Sequence, residues 1–278
     1  MFLWGGGWSA LKLLTPYVSM EVLVFWRFFI MSLSFIPILF YLKQALKLNI
    51  QSIQFIIGST LLNISFMIFS YYGVSYGLAG SASVIITTLS PLFTFILAAY
   101  IGKKTIPQKQ LLGLFIGFVG GAVMLHISSF ELFLESGHLF FLLCALVWAG
   151  VTLLAQYSHA HLHPIHYSFY ISLTATILSF FYALNSDLSS VFSQGIEFWI
   201  ALLYLAIFGQ SIATTIFFVA SGKLGSSQTS SFMFLVPVFA LFIAALVLDE
   251  SLQVHILLGG GLSLIALYLI NTKSDKNS

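Results

Sequence analysis

Residues 71–124 of this chain lie over residues 217–270 without a gap, at an offset of 146. Eleven positions are identical, among them Pro91/Pro237, Ala98-Ala99/Ala244-Ala245 and Leu111-Leu112-Gly113/Leu257-Leu258-Gly259. The break inside the aligned stretch reverses its charge, because Lys103-Lys104 faces Asp249-Glu250. Lysine beside a membrane is retained on the cytoplasmic side, whereas acidic residues orient little. One structural unit used twice, in opposite orientations, satisfies both facts, and repeats of this kind meet near the bilayer midplane.

The solvent for such a unit is lipid. Of all residues 59% are hydrophobic and 6% charged, against roughly 25% charged in an ordinary soluble domain. Mean hydropathy is +1.04. The net charge of +2 gives no basis for a nucleic-acid partner. Cys144 is the only cysteine, so no intrachain disulfide forms, and its apolar surroundings suit inert packing. The opening MFLWGGGWSALKLL lacks a basic region and a small-residue cleavage site, which favours a first transmembrane helix over a signal peptide.

Crossing the hydrocarbon takes about 20 apolar residues per helix. Ten segments meet that need: 2–16, 20–42, 52–72, 77–101, 107–126, 137–157, 164–184, 196–219, 226–248 and 253–271. The expected fold is all-α, ten transmembrane helices in two inverted five-helix repeats, residues 1–127 and 137–271, followed by a polar cytoplasmic tail, 272–278. With a cytoplasmic N-terminus, every loop lysine falls inside: Lys43, Lys47, Lys103, Lys104, Lys109, Lys223, Lys273 and Lys276. The other side receives Glu21, Glu131, Glu135, Asp187, Glu197, Asp249 and Glu250. That sorting sets both termini in the cytoplasm, for a multi-pass protein of the inner (plasma) membrane.

WGGGWSALKLL followed by VFWRFF resembles the first two helices of the drug/metabolite transporter superfamily, EamA type. YYGVSYGLAGSASVIITTLSPLFTFILAAYI and FFVASGKLGSSQTSSFMFLVPVFALFIAALVLDESLQVHILLGG resemble its third-to-fourth helix region and the counterpart in the second repeat. Trp148-Ala149 echoes Trp4-Gly5, and the second repeat ends in the family's acidic residue and glycine, here Glu250 and Gly259. The first repeat departs from the pattern, with Lys103-Lys104 where an acid is usual. The resemblance implies a cavity between the repeats, alternating access, and export of amino acids or other small metabolites. A metal-ion or drug exporter is the alternative within transport. A membrane-embedded enzyme or a scaffold is the alternative outside it.

Two cations lie within helices away from their ends, Lys12 and Arg27, and no intramembrane acid accompanies them. Ionisable groups at that depth usually face a cavity, so both are candidates to meet an anionic group on a small-molecule substrate. Snorkelling to the interface is the competing reading. Asn63 and Gln210 fall at equivalent depth in the third and eighth segments. Buried amides must hydrogen-bond inside the bundle, as helix glue or as cavity lining. Trp148, with Trp4, Trp8, Tyr72, Tyr76 and Gln156, could add walls. Pro91 and Pro237 should each kink a helix at matching depth. Gly113, Gly117 and Gly121 with Gly259 give small-residue faces for close helix packing.

SHAHLHPIHY carries His159, His161, His163 and His166 without a cysteine or acid, which reads as a solvated loop rather than a metal site. No phosphate loop, nucleophile elbow or metalloprotease motif appears. The expected protein is therefore a secondary transporter rather than an enzyme, without cofactor or bound metal. Its partners are a small-molecule substrate with an anionic group, the lipid bilayer and, as an option, a second copy of the chain.

Overall fold

The computed structural model describes residues 1–42, 48–103, 105–125, 137–248 and 254–272. The expectations that rest on Lys43, Lys47, Lys104, Glu131, Glu135, Asp249, Glu250 and residues 273–278 lie outside these residues. All regular structure among the described residues is helical.

The first helix, α1, comes in two parts, Phe2–Gly5 and Gly7–Leu14. The glycine run between its tryptophans explains the break. A Cβ on Gly5 would sit 2.9 Å from the Ala240 nitrogen, and one on Gly6 would sit 2.8 Å from the Tyr204 hydroxyl. Only glycine lets the chain approach both neighbours that closely. Helix α2 (Met20–Leu42) and α3 (Ile50–Tyr76) follow, the latter capped by Asn49, whose side chain accepts from the Ser52 N–H at 2.6 Å. A two-residue link leads to α4 (Ala79–Gly102), which ends on Lys103 in the left-handed conformation, φ 48°. Helices α5 (Gln108–Leu125), α6 (His138–Ser158) and α7 (Pro164–Tyr182) are continuous. Proline at the first position of α7 is preorganised for helix.

The next two helices are irregular. In α8, a π-helical stretch Tyr204–Thr214 joins Ile196–Leu203 to Thr215–Leu224. In α9, a 3-10 turn Phe232–Phe234 joins Ser226–Ser231 to Leu235–Leu248. That turn ends just before Pro237, which supplies no N–H to the turn behind it. Pro91, its counterpart, lies inside an α-helix that continues uninterrupted. Helix α10 (Val254–Asn271) closes the described chain.

Six of these helices are long and apolar enough to cross a membrane, counted over the described residues, and Leu257–Asn271 is a shorter apolar helix. The outward faces of the helices carry large exposed apolar side chains, including Phe40, Ile50, Phe115, Phe181, Ile216 and Leu258. An apolar surface of that extent suits lipid, since soluble monomers rarely expose large contiguous apolar patches.

Small residues set the tightest helix pair. Helix α5 runs along α10. A Cβ on Gly113 would strike Ile270 and Ala266, and one on Gly120 would strike Gly259. The earlier position on α5 thus meets the later part of α10 and the later position its earlier part, so the two run antiparallel. Gly121 and Gly117 face elsewhere, toward Thr88 of α4 and the Phe234 ring of α9. The glycines therefore serve three different neighbours rather than one groove. Elsewhere α6 lies against α3 and α4, and α2 against α7.

His159 and His163 are exposed, as expected of a solvated connection, but the four histidines also make defined contacts, and His166 departs from the expectation. The His159 ring packs on Gly222, and His161 stacks on Phe55 with ring centroids 5.5 Å apart. The His163 Nδ1 accepts from the Ile165 N–H at 3.4 Å, at the start of α7. His166 is buried. These imidazoles are packing and capping groups of a short helix connection, which their spacing alone does not reveal.

Candidate functional site

The π-helical stretch of α8 positions the polar centre of the molecule. A π turn puts its amide and carbonyl groups out of α-helical register, and such bulges gather at functional sites. Here the Gly209 carbonyl accepts from the Trp4 indole N–H at 3.0 Å and from the Thr214 hydroxyl at 3.1 Å. The Tyr204 hydroxyl donates to the Leu3 carbonyl at 2.8 Å. Ser211 bonds Ser34 and the Ala206 carbonyl. These contacts tie α8 to the broken α1 and to α2.

Between them lies a cavity of about 90 Å³. Its walls come from α1 (Leu3, Trp4, Gly7, Trp8, Leu11), α2 (Arg27), α3 (Asn63, Phe66, Met67, Ser70), α4 (Ile86, Thr87), α6 (Trp148), α8 (Leu205, Gly209, Gln210, Thr214) and α9 (Met233, Val236). Four side chains singled out in the sequence meet there: Arg27, Asn63, Trp148 and Gln210. Trp4 and Trp8 join them.

Arg27 is only 7% exposed. Its Nε donates to the Gln210 Oε1 at 3.0 Å, and the Gln210 amide nitrogen makes a long contact with the Met31 sulfur. Among the described residues no carboxylate bonds Arg27, and its terminal N–H groups have no protein partner. A guanidinium carries five donors in a fixed planar fork, matched to carboxylate or phosphate. Largely buried and without a counter-charge among the described residues, it favours any anion that enters the cavity.

Asn63 donates to the Ser59 carbonyl at 2.8 Å, within its own helix, which leaves its acceptor oxygen without a protein partner among the described residues. The Trp148 ring is buried and its indole N–H is unpaired. Trp148 stands edge-on to Trp4, centroids 5.3 Å apart, and packs on Phe66 at 4.9 Å. The cavity therefore joins one cationic pole and a few amide and indole groups to a mostly apolar wall that includes Trp4, Trp8, Phe66 and Trp148, the usual balance of a small-molecule site.

Lys12 stands apart. It is not among the cavity's lining residues. Its ammonium donates to the Val74 carbonyl and, at 3.0 Å, to the Gly77 carbonyl. Those oxygens close the C-terminal end of α3, where a cation also meets the negative end of the helix dipole. The structure thus brings Lys12 to backbone acceptors and not to the other four candidates.

Several lining residues drew no notice in the sequence: Phe66, Met67, Ser70 and Thr87 on the first-half side, Thr214 and Met233 on the second. One signal does point to two of them. Thr87 and Met233 each stand four residues before a proline, Pro91 and Pro237, at the carbonyl a helix would otherwise bond to that position.

The EamA-like transporter family matches residues 1–126 and again 135–272. The chain is 25% identical over 264 residues to the uncharacterized transporter YoaV of Bacillus subtilis, covering 92% of this chain and 89% of that one. It is 26% identical over 285 residues to a WAT1-related chloroplastic protein of Arabidopsis thaliana, covering 97% of this chain and 67% of the relative. A crystal structure superposes with a TM-score of 0.76 at 16% identity, over 97% of this chain and 93% of the other, which is a likeness of fold. With both halves of its length matched, this multi-pass membrane protein belongs to the EamA-like transporter family.

Proposed function

We propose that the chain is a secondary transporter of the plasma membrane that moves a small metabolite bearing an anionic group, outward, by alternating access. The observation that carries this reading is Arg27: a buried guanidinium in a central cavity, tethered through Nε alone and without a carboxylate among the described residues. A solute carboxylate supplies the missing charge. Gln210 orients the fork, and Asn63, Trp148 and Trp4 meet the remainder of the solute. Lys12 has the weaker claim to substrate contact, because its ammonium is already on two carbonyls.

Alternating access draws support from the antiparallel course of α5 and α10, which are equivalent helices under the 146-residue offset. Ten membrane crossings in two inverted repeats, with both termini cytoplasmic, fit that arrangement and the sorting of loop lysines. YoaV's name as a transporter favours transport over an enzymatic or scaffold role.

The test is a thermal-stability screen of the purified protein with paired carboxylates and their amides, followed by flux in liposomes. A ligand that binds the folded state raises apparent stability. Carboxylates should stabilise and move across the membrane, and their amides should do neither. Equal effects of acid and amide, or flux that Arg27→Gln leaves intact, would sink the reading.

A further inference from the structure

A second cavity, of about 390 Å³, lies at the end of the molecule that carries Lys103 and Lys223. Its wall includes Gly102, directly before Lys103, and Leu224, directly after Lys223. Gln156 of α6 and Ser226 of α9 line it as well, and the Gln156 Oε1 accepts from the Ser226 N–H at 2.7 Å.

The two cavities share three walls. Along α4, Thr87 lines the central cavity and Phe95 the second; along α6, Trp148 and Gln156; along α9, Met233 and Ser226. Seven or eight residues separate the members of each pair, about 11–12 Å at the rise of a helix. Because α9 enters the second cavity with its first residue and α4 with its last, these equivalent helices run antiparallel around one axis.

The layer between the cavities is built of hydroxyls. Ser90 and Thr94 of α4, Thr152 of α6, and Thr229 and Ser230 of α9 are buried and stand, along their helices, between the linings of the two cavities. Ser231 beside them is turned to α10, accepting from the Asn271 amide at 2.8 Å. Ser90 and Thr229, with Ser226 at the edge of the second cavity, have hydroxyl oxygens without any hydrogen-bond partner. A buried, unpaired hydroxyl is costly, and more so where no bulk water reaches. Two in the layer and a third on the wall of the second cavity suit a passage that is satisfied when water and a polar solute occupy it.

We infer that this hydroxyl layer is the inner gate of the translocation path, and that the second cavity is its vestibule, taking the same anionic solute as the central cavity. The inference rests on the transport reading. Lys103 and Lys223 at the mouth attract that solute before it meets Arg27.

The test needs no substrate. In a Cys144→Ala background, single cysteines Gln228→Cys, Thr229→Cys and Ser90→Cys are probed with membrane-impermeant sulfonatoethyl methanethiosulfonate in right-side-out and inside-out vesicles. Gln228→Cys should react only from the Lys103 face. Thr229→Cys and Ser90→Cys should react from that same face, at least tenfold more slowly. Replacing Lys103 and Lys223 with Gln should slow the anionic reagent at Gln228→Cys and leave its cationic trimethylammonium analogue no slower. Inert Thr229→Cys and Ser90→Cys beside a reactive Gln228→Cys would make the second cavity a blind pocket and overturn the gate. Reaction of those two from the opposite face alone would do so too. Should Ser90→Cys fail to insert, Thr229→Cys decides the matter. Labelling as expected, in a protein whose wild type moves no carboxylate in the liposome test above, would count against the transport reading and not against the path.

Discussion

Arg27 and Gln210, one from each half of the chain, meet through a 3.0 Å hydrogen bond from Nε to Oε1. The contact occupies the one donor of the guanidinium that lies off its terminal fork, so the bidentate end stays available. It also links α2 to the π-helical stretch of α8, where Gly209 next to Gln210 holds the Trp4 indole. Charge, orientation and aromatic wall are thus coupled through two consecutive positions on one irregular turn.

Arg27→Gln should keep the fold and weaken a carboxylate ligand. The lost charge-assisted bond is worth about 1.5–3 kcal/mol, or about tenfold to over a hundredfold in Kd. Arg27→Lys should recover little of this, since an ammonium has no planar fork. Gln210→Leu should cost less, because it removes the tether and leaves the charge. Titration of a carboxylate hit from the stability screen checks all three. Equal affinities for wild type and Arg27→Gln would remove Arg27 from the site.

Arg27, Asn63, Trp148 and Gln210 were legible in the sequence because a polar or indole group stands out against apolar helices. Burial at membrane depth gives it few places to go. Lys12 stood out for the same reason and went somewhere else. Its partners are backbone carbonyls 62 and 65 residues away, which no side-chain pattern announces. Phe66 and Met67 were invisible because any membrane helix is rich in such residues. The π register of Tyr204–Thr214 was equally hidden, since it depends on contacts from α1 and α2 rather than on local propensity. The small-residue spacing of α5 did foretell close packing, and the structure distributes its glycines among three neighbours.

Lys12→Met tests the cap at the end of α3. On sequence grounds this lysine was a candidate substrate contact, and its removal would weaken transport at least tenfold. Its bonds to Val74 and Gly77 instead predict a loss of stability, about 1–3 kcal/mol for charged hydrogen bonds to a helix end. Ligand affinity should stay within about threefold of wild type, a difference under 1 kcal/mol. Thermal unfolding and ligand titration on the same sample separate the two accounts. Unchanged stability with a tenfold loss of affinity would return Lys12 to the binding site.

Opposite membrane faces can be tested on described, exposed positions. Thr105 follows the lysine pair after α4, and Ser193 lies between α7 and α8, near Asp187 and Glu197. In a Cys144→Ala background, Thr105→Cys should label with an impermeant thiol reagent from the cytoplasmic face and Ser193→Cys from the other. Retention of lysine-bearing loops in the cytoplasm drives that expectation. Labelling of both positions from one face would refute the assigned topology.

The contact between α5 and α10 yields the sharpest steric prediction. A Cβ on Gly259 would lie 2.5 Å from the Gly120 carbonyl oxygen, 2.4 Å from the Met124 Cγ and 3.1 Å from the Met124 nitrogen. Met124 can turn aside, but two of those neighbours are backbone, so the helices must separate. Overpacking of this kind costs about 1–3 kcal/mol. Gly259→Ala should therefore lower the unfolding temperature clearly, and Gly259→Leu should prevent stable insertion. Gly261, two residues on, has no atom within 4 Å of where its Cβ would stand. Gly261→Ala should be neutral or slightly stabilising, since alanine favours helix by about 1 kcal/mol over glycine. Unfolding temperatures of Gly259→Ala and Gly261→Ala, measured side by side in one detergent, decide the point. If the two shift alike, α5 and α10 do not meet at Gly120 and Gly259.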